Sequence, residues 1–137
     1  MKLIRGVRNN NPGNIRHNPT IKWDGSTGVD KDGFEIFSNP YYGIRAMAKI
    51  LMTYKKKYDI DTIEAVIRRW SATDQEEYIS LVSKKIGKLP TAYIDLEDPN
   101  DLNEIIFAMI LFENGFVPYT YGLVWRGIEF AIKGEEP

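Results

Sequence analysis

The sequence predicts a mainly α fold of the α+β kind, a helical domain with a small β-hairpin near the N-terminus. Three observations carry this reading. From residue 40 to 133, apolar side chains recur at steps of three and four, the helix period. Residues 5–40 are instead rich in Gly, Asn and Pro, the composition of loops. Within that stretch, Phe34-Glu35-Ile36-Phe37 is the best strand, with Ile21-Lys22-Trp23 as its expected partner. The chain, 1–137, reads as a single domain, because a domain of this size hides roughly 70% of its unfolded surface.

Each helix carries its own start or stop. The first opens at Asn39-Pro40, a capping residue followed by proline at the first helical position. Its inward stripe is Ile44, Met47, Ala48, Leu51 and Met52, and Lys55, Lys56 and Lys57 sit at its C-terminal end, where cations suit the dipole. The second opens at Asp61-Thr62-Ile63-Glu64, read as a near capping box with Asp61 at the cap, and buries Ile63, Val66, Ile67 and Trp70. The third follows Thr73-Asp74, carries Tyr78, Ile79, Val82 and Ile86, and stops at Gly87. Asp98-Pro99 opens the fourth and Asn114-Gly115 ends it. The fifth runs from about Thr120 to Lys133, with Val124, Ile128, Ala131 and Ile132 inward.

Composition excludes several functions. With 43% hydrophobic and 12% aromatic residues the body of the chain is not disordered. The chain has no cysteine, so thiol chemistry, disulfides and Cys-based metal sites are excluded. A lone histidine, His17, argues against multi-His centres and a Ser-His-Asp triad. Neither a cofactor nor a metal is expected. Eighteen basic against nineteen acidic residues does not fit a protein devoted to nucleic acid. No segment reaches the roughly 20 apolar residues of a membrane span, and the N-terminus lacks the apolar core of a signal peptide.

The fourth helix holds the most informative residue. Its stripe of Leu102, Ile105, Ile106, Met109 and Ile110 continues by helical steps to position 113, which is Glu. A carboxylate on a buried face loses hydration, which favours the neutral form that a general acid near neutral pH requires. The alternative is a Glu that marks the helix end and turns to solvent or to an Arg. Asn114-Gly115 is a normal helix stop under either reading.

The N-terminal 23 residues contain Lys2, Arg5, Arg8, Arg16 and Lys22 and no acid. Inside them, Asn9-Asn10-Asn11-Pro12-Gly13-Asn14 offers amide donors and acceptors, with Gly13 expected to permit a positive φ. Such a loop suits the hydroxyl and N-acetyl groups of a sugar, or it is a run of Asx turns organising itself. Trp23 and Tyr119 fall in loops and suit stacking on sugar faces. Tyr42 and Trp70 are further candidates, although Trp70 also completes the buried stripe of the second helix.

Asn10-Asn11-Pro12-Gly13-Asn14-Ile15-Arg16, Trp23-Asp24-Gly25, Phe34 to Phe37 and Tyr42-Gly43-Ile44-Arg45-Ala46 together resemble a group of phage structural or virion lytic proteins. Arg69-Trp70-Ser71, Tyr78 and Phe112-Glu113-Asn114-Gly115 extend that resemblance over nearly the whole chain. More distantly, the sequence resembles bacterial glucosaminidases, which have an Asn-Asn loop, then Trp-Xaa-Gly, an aromatic strand and a helix. Both point to the lysozyme and lytic-transglycosylase superfamily, with the Glu helix coming late in the chain, as in a circularly permuted domain.

The resemblance implies a phage-encoded enzyme that cleaves the glycan strands of bacterial peptidoglycan as a monomer, without nucleic acid or membrane insertion. Glu113 is the implied general acid and Glu35, in the hairpin, the implied second carboxylate, with Asp24 and Asp32 as alternatives. Asn10, Asn11, Asn14, Arg16, Trp23, Tyr42, Trp70 and Tyr119 are the implied substrate-binding residues. Made in the host cytoplasm, the protein would reach the wall through a lysis pore or inside a virion. A non-catalytic glycan-binding or virion structural module is the rival reading. A small DNA-binding protein using Arg5, Arg8 and Arg16 ranks third.

Overall fold

The computed structural model describes residues 3–137. Among them are six helices and one two-stranded antiparallel sheet, in the order α1 (Arg5–Arg8), β1 (Ser26–Val29), β2 (Glu35–Phe37), α2 (Pro40–Tyr58), α3 (Ile63–Trp70), α4 (Gln75–Ile86), α5 (Pro99–Asn114) and α6 (Tyr121–Lys133). The fold is mainly helical, as the sequence predicts.

The helix ends follow their capping chemistry. Asn39 Oδ1 accepts from the Tyr41 and Tyr42 amides at the start of α2. Asp98 accepts from Asp101 N at the start of α5, and Thr120 from Leu123 N at the start of α6. Gly87 and Gly115 close α4 and α5 in the left-handed region, at φ 80° and 81°. One cap differs from expectation. The α3 cap is Thr62, whose hydroxyl accepts from Ala65 N, and not Asp61 one residue earlier.

The core lies between α2, α5 and α6, with α4 packed on α5 and α3 on α4. Ile44, Met47, Leu51, Val66, Ile67, Val82, Ile105, Ile106, Met109 and Ile128 are fully enclosed. Gly127 allows α6 to approach α2 closely, since a Cβ there would lie 2.6 Å from Ile44 Cγ2. Two inward assignments are corrected. Ile132 is 40% exposed, on the outer side of the last turn of α6, and Trp70 is only half-buried because it stands at the rim of a cleft.

The hairpin also differs from expectation. β2 pairs with Ser26–Val29 rather than with Ile21–Trp23, which lie in a turn-rich stretch. On its other side β2 is bordered by the asparagine loop. Glu35 N donates to Ile15 O at 3.0 Å, and His17 N donates to Gly33 O at 2.9 Å. The short helix α1 lies within the segment read as loop from its composition.

Candidate functional site

The asparagine loop is pinned to the end of α5. Asn114 Nδ2 donates to Pro12 O at 2.9 Å and to Ile110 O in its own helix at 3.0 Å. Inside the loop, Asn11 is fully enclosed, and its amide group bonds Ile15 N, Ile15 O and Glu35 O. Asn10 Nδ2 donates to Phe37 O. Asn10 and Asn14 take positive φ values of 51° and 49°, tolerable for Asn. Gly13 does not, contrary to expectation. Its missing Cβ makes room instead, for a carbon there would lie 2.9 Å from Met47 Cγ and 3.0 Å from Trp70 Cζ2.

This framework builds a cleft of about 480 Å³ with Glu113 in its wall. Trp70, Asn14, Arg5, Arg16 and Tyr54 also line it. Glu113 is half-buried and accepts three hydrogen bonds from three segments. Asn14 Nδ2 donates to Oε1 at 3.1 Å. Trp70 Nε1, at the end of α3, and the Tyr78 hydroxyl, in α4, donate to Oε2 at 3.3 and 2.9 Å. Arg5 Nε donates to Asn14 Oδ1 at 3.3 Å, which fixes which way the Asn14 amide faces. Tyr78 is 1% exposed. Its burial, then the Glu113 charge, push its phenol well above the ordinary tyrosine value, so it keeps its proton and donates. Its ring stacks on Phe112 at 3.9 Å between centroids, which sets the angle at which its hydroxyl meets the carboxylate.

The structure thus brings Asn14, Arg16 and Trp70 to Glu113 among the expected residues. It does not bring the others. Glu35 is 2% exposed and does not line the cleft. One of its oxygens accepts from Ser26 Oγ, and the other meets His17 Nδ1 at 2.8 Å. It is therefore a tie within the hairpin and not a second acid of the cleft. Asp24 is ion-paired with Arg45 at 3.0 Å, and Asp32 is exposed on the hairpin turn. Asn10 and Asn11 serve the loop's own backbone. Tyr42 packs edge-on against Phe130 at 5.2 Å and donates its hydroxyl to Glu136. The Tyr119 hydroxyl is enclosed away from the cleft, and burial pushes it up to about 12. Trp23 lines a neighbouring cleft.

Sequence reasoning missed Tyr78, Arg5 and Tyr54 as parts of the site. Tyr78 reads as one more apolar position of its helix, and only its hydroxyl distinguishes it. Arg5 is visible as one of the loop's basic residues. Tyr54 falls one helical step beyond Ile50, on a face beside the buried stripe.

The structure therefore defines a mainly helical protein whose late helix presents one acid in a cleft roofed by an N-terminal loop. No known family model matches the chain. It is similar to Protein P5 of Pseudoalteromonas phage PM2, at 40% identity over 139 residues, covering 97% of this chain and 85% of that protein. The chain belongs to the family of that phage protein. Among the described residues, no helix is long and apolar enough to cross a membrane.

Proposed function

We propose that this protein cleaves the glycan strands of bacterial peptidoglycan with Glu113 as general acid, in a permuted lysozyme-like arrangement. The observation that carries the proposal is the carboxyl group of Glu113, half-buried in the cleft wall and aimed by Asn14, Trp70 and Tyr78. In its protonated form, Glu113 would give its proton to the glycosidic oxygen as the bond to C1 breaks. Negative charge then develops on Glu113, where three preorganised donors stabilise it. Arg5 and Arg16 line the same cleft and suit the polar substituents of a sugar chain, while the exposed side of Trp70 suits its apolar face.

With Glu35 enclosed, Glu113 is the one carboxylate lining this cleft among the described residues. That favours lytic transglycosylation over hydrolysis by a carboxylate pair. The substrate's N-acetyl oxygen would stabilise the cationic C1. The sugar's own C6 hydroxyl would then add to C1 and return its proton to Glu113, leaving a 1,6-anhydro end.

A second reading, a non-catalytic glycan-binding or virion structural module, is favoured by one feature of the same site. The three donors to Glu113 come from the loop, α3 and α4, so the residue also ties these segments together. Purified protein incubated with sacculi separates the two. Clearing by the wild type, with Glu113→Gln still pelleting with the walls but not clearing them, supports the acid role. Pelleting without clearing by the wild type assigns the module instead.

A further inference from the structure

A second cleft of about 440 Å³ adjoins the first, and Ile50 and Tyr54 line both. The two are consecutive parts of one groove running along α2. Their charges differ. The second part is lined by Lys22, Arg45, Lys49, Lys57 and Arg69, against a single acid, Asp24. Asp24 is already taken by Arg45 at 3.0 Å. Among the described residues, no carboxylate lies within ion-pair distance of the other four cations. Arg69 is held in place by stacking, with its guanidinium 3.6 Å over the Tyr58 ring. In a chain of net charge -1, this is a local concentration of positive charge, walled by the rings of Trp23, Tyr54 and Tyr58.

We infer that this part of the groove is a binding site for the carboxylates of the peptide substituents on a glycan strand lying across Glu113. The inference rests on the peptidoglycan reading and adds a substrate feature to it. A glycan backbone alone offers little to four unpaired cations, whereas substituents carrying carboxylates answer them. Continuity through Ile50 and Tyr54 places those substituents one groove segment from the acid.

The test uses Glu113→Gln, so that cleavage does not erode the ligand, and sacculi free of teichoic acid, so that phosphate is absent. Binding is measured by sedimentation on intact sacculi and on sacculi whose carboxylates have been converted to neutral amides. Adding Lys22→Ala, Lys49→Ala and Lys57→Ala should weaken binding to intact sacculi by about tenfold, with less than about a twofold change on the amidated walls. The double charge reversal Lys22→Glu/Lys57→Glu, at two exposed positions, should weaken it further and guards against misfolding of the triple variant. The loss should shrink as salt rises. An equal loss on both kinds of sacculi, or no loss, overturns the inference. Tighter binding to double-stranded DNA than to sacculi at the same ionic strength also overturns it. If the wild type clears no walls yet the carboxylate-dependent binding holds, the cleavage reading falls and this site stands.

Discussion

Replacing Tyr78 by Phe removes one oxygen and leaves the ring stacked on Phe112. The lost hydroxyl donates to Glu113 Oε2 at 2.9 Å, the shortest of that carboxylate's three contacts. A hydrogen bond to a charged acceptor contributes about 1.5–3 kcal/mol, against about 1 kcal/mol for a neutral pair. Glu113 is half-buried, so water recovers part of the loss, and the lower end, about 1.5 kcal/mol, is expected for Tyr78→Phe. In a Glu113→Gln background the acceptor is neutral, and the same change should cost about 0.5 kcal/mol. The coupling energy between the two sites is then about 1 kcal/mol. Urea unfolding of the four proteins of this double-mutant cycle, followed by circular dichroism, measures it. Additivity within about 0.3 kcal/mol would refute the claim that Tyr78 acts through the Glu113 charge.

Three other perturbations test the framework. Asn11→Ala strips partners from Ile15 N, Ile15 O and Glu35 O in an enclosed site, and should cost about 3 kcal/mol by urea midpoint; a loss near zero would mean water replaces the amide. Gly43→Ala drives a Cβ to 2.1 Å from the Asn10 backbone oxygen, and should also cost about 3 kcal/mol, with an unchanged thermal midpoint contradicting the packing of α2 on the loop. Asp30 is held below the ordinary carboxylate value, first by the Phe34 amide, then by the Asn9 side chain, the Asp32 amide and the Arg8 charge. Its folded value is depressed, so its contribution is fully present above the ordinary value of 3.8 and is lost as pH falls through the folded one. Asp30→Asn should therefore melt at a temperature less dependent on pH between about 2 and 5 than the wild type does, and an equally steep acid limb in both would count against this role.

Helices were legible in the sequence because their signals are local. Asn39-Pro40, Asp98-Pro99 and the glycine stops act within one turn, and the apolar steps need no knowledge of partners. Glu113 was legible for the same reason, as a carboxylate where the stripe of α5 asks for an apolar residue. The hairpin partner was not. Ile21-Lys22-Trp23 is more apolar than Ser26-Thr27-Gly28-Val29, yet the latter pairs, because β1 is exposed throughout and its pairing is fixed by turn geometry rather than burial. Glu35 shows the limit for site residues. Its place in an alternating strand does not reveal that Ser26 and His17 close around it. The roles of Asn10, Asn11 and Asn14 also diverge only in three dimensions: one sequence run yields two backbone ties and one side chain aimed at the acid.

The most direct measurement is mass spectrometry of the soluble fragments released from purified sacculi. If Glu113 is the acid of a one-carboxylate cleavage, wild-type protein releases glycan fragments with 1,6-anhydro ends, and Glu113→Gln, still folded and still bound to the walls, releases none. Equal release by the two proteins, or an absence of new glycan ends with the wild type, would contradict it.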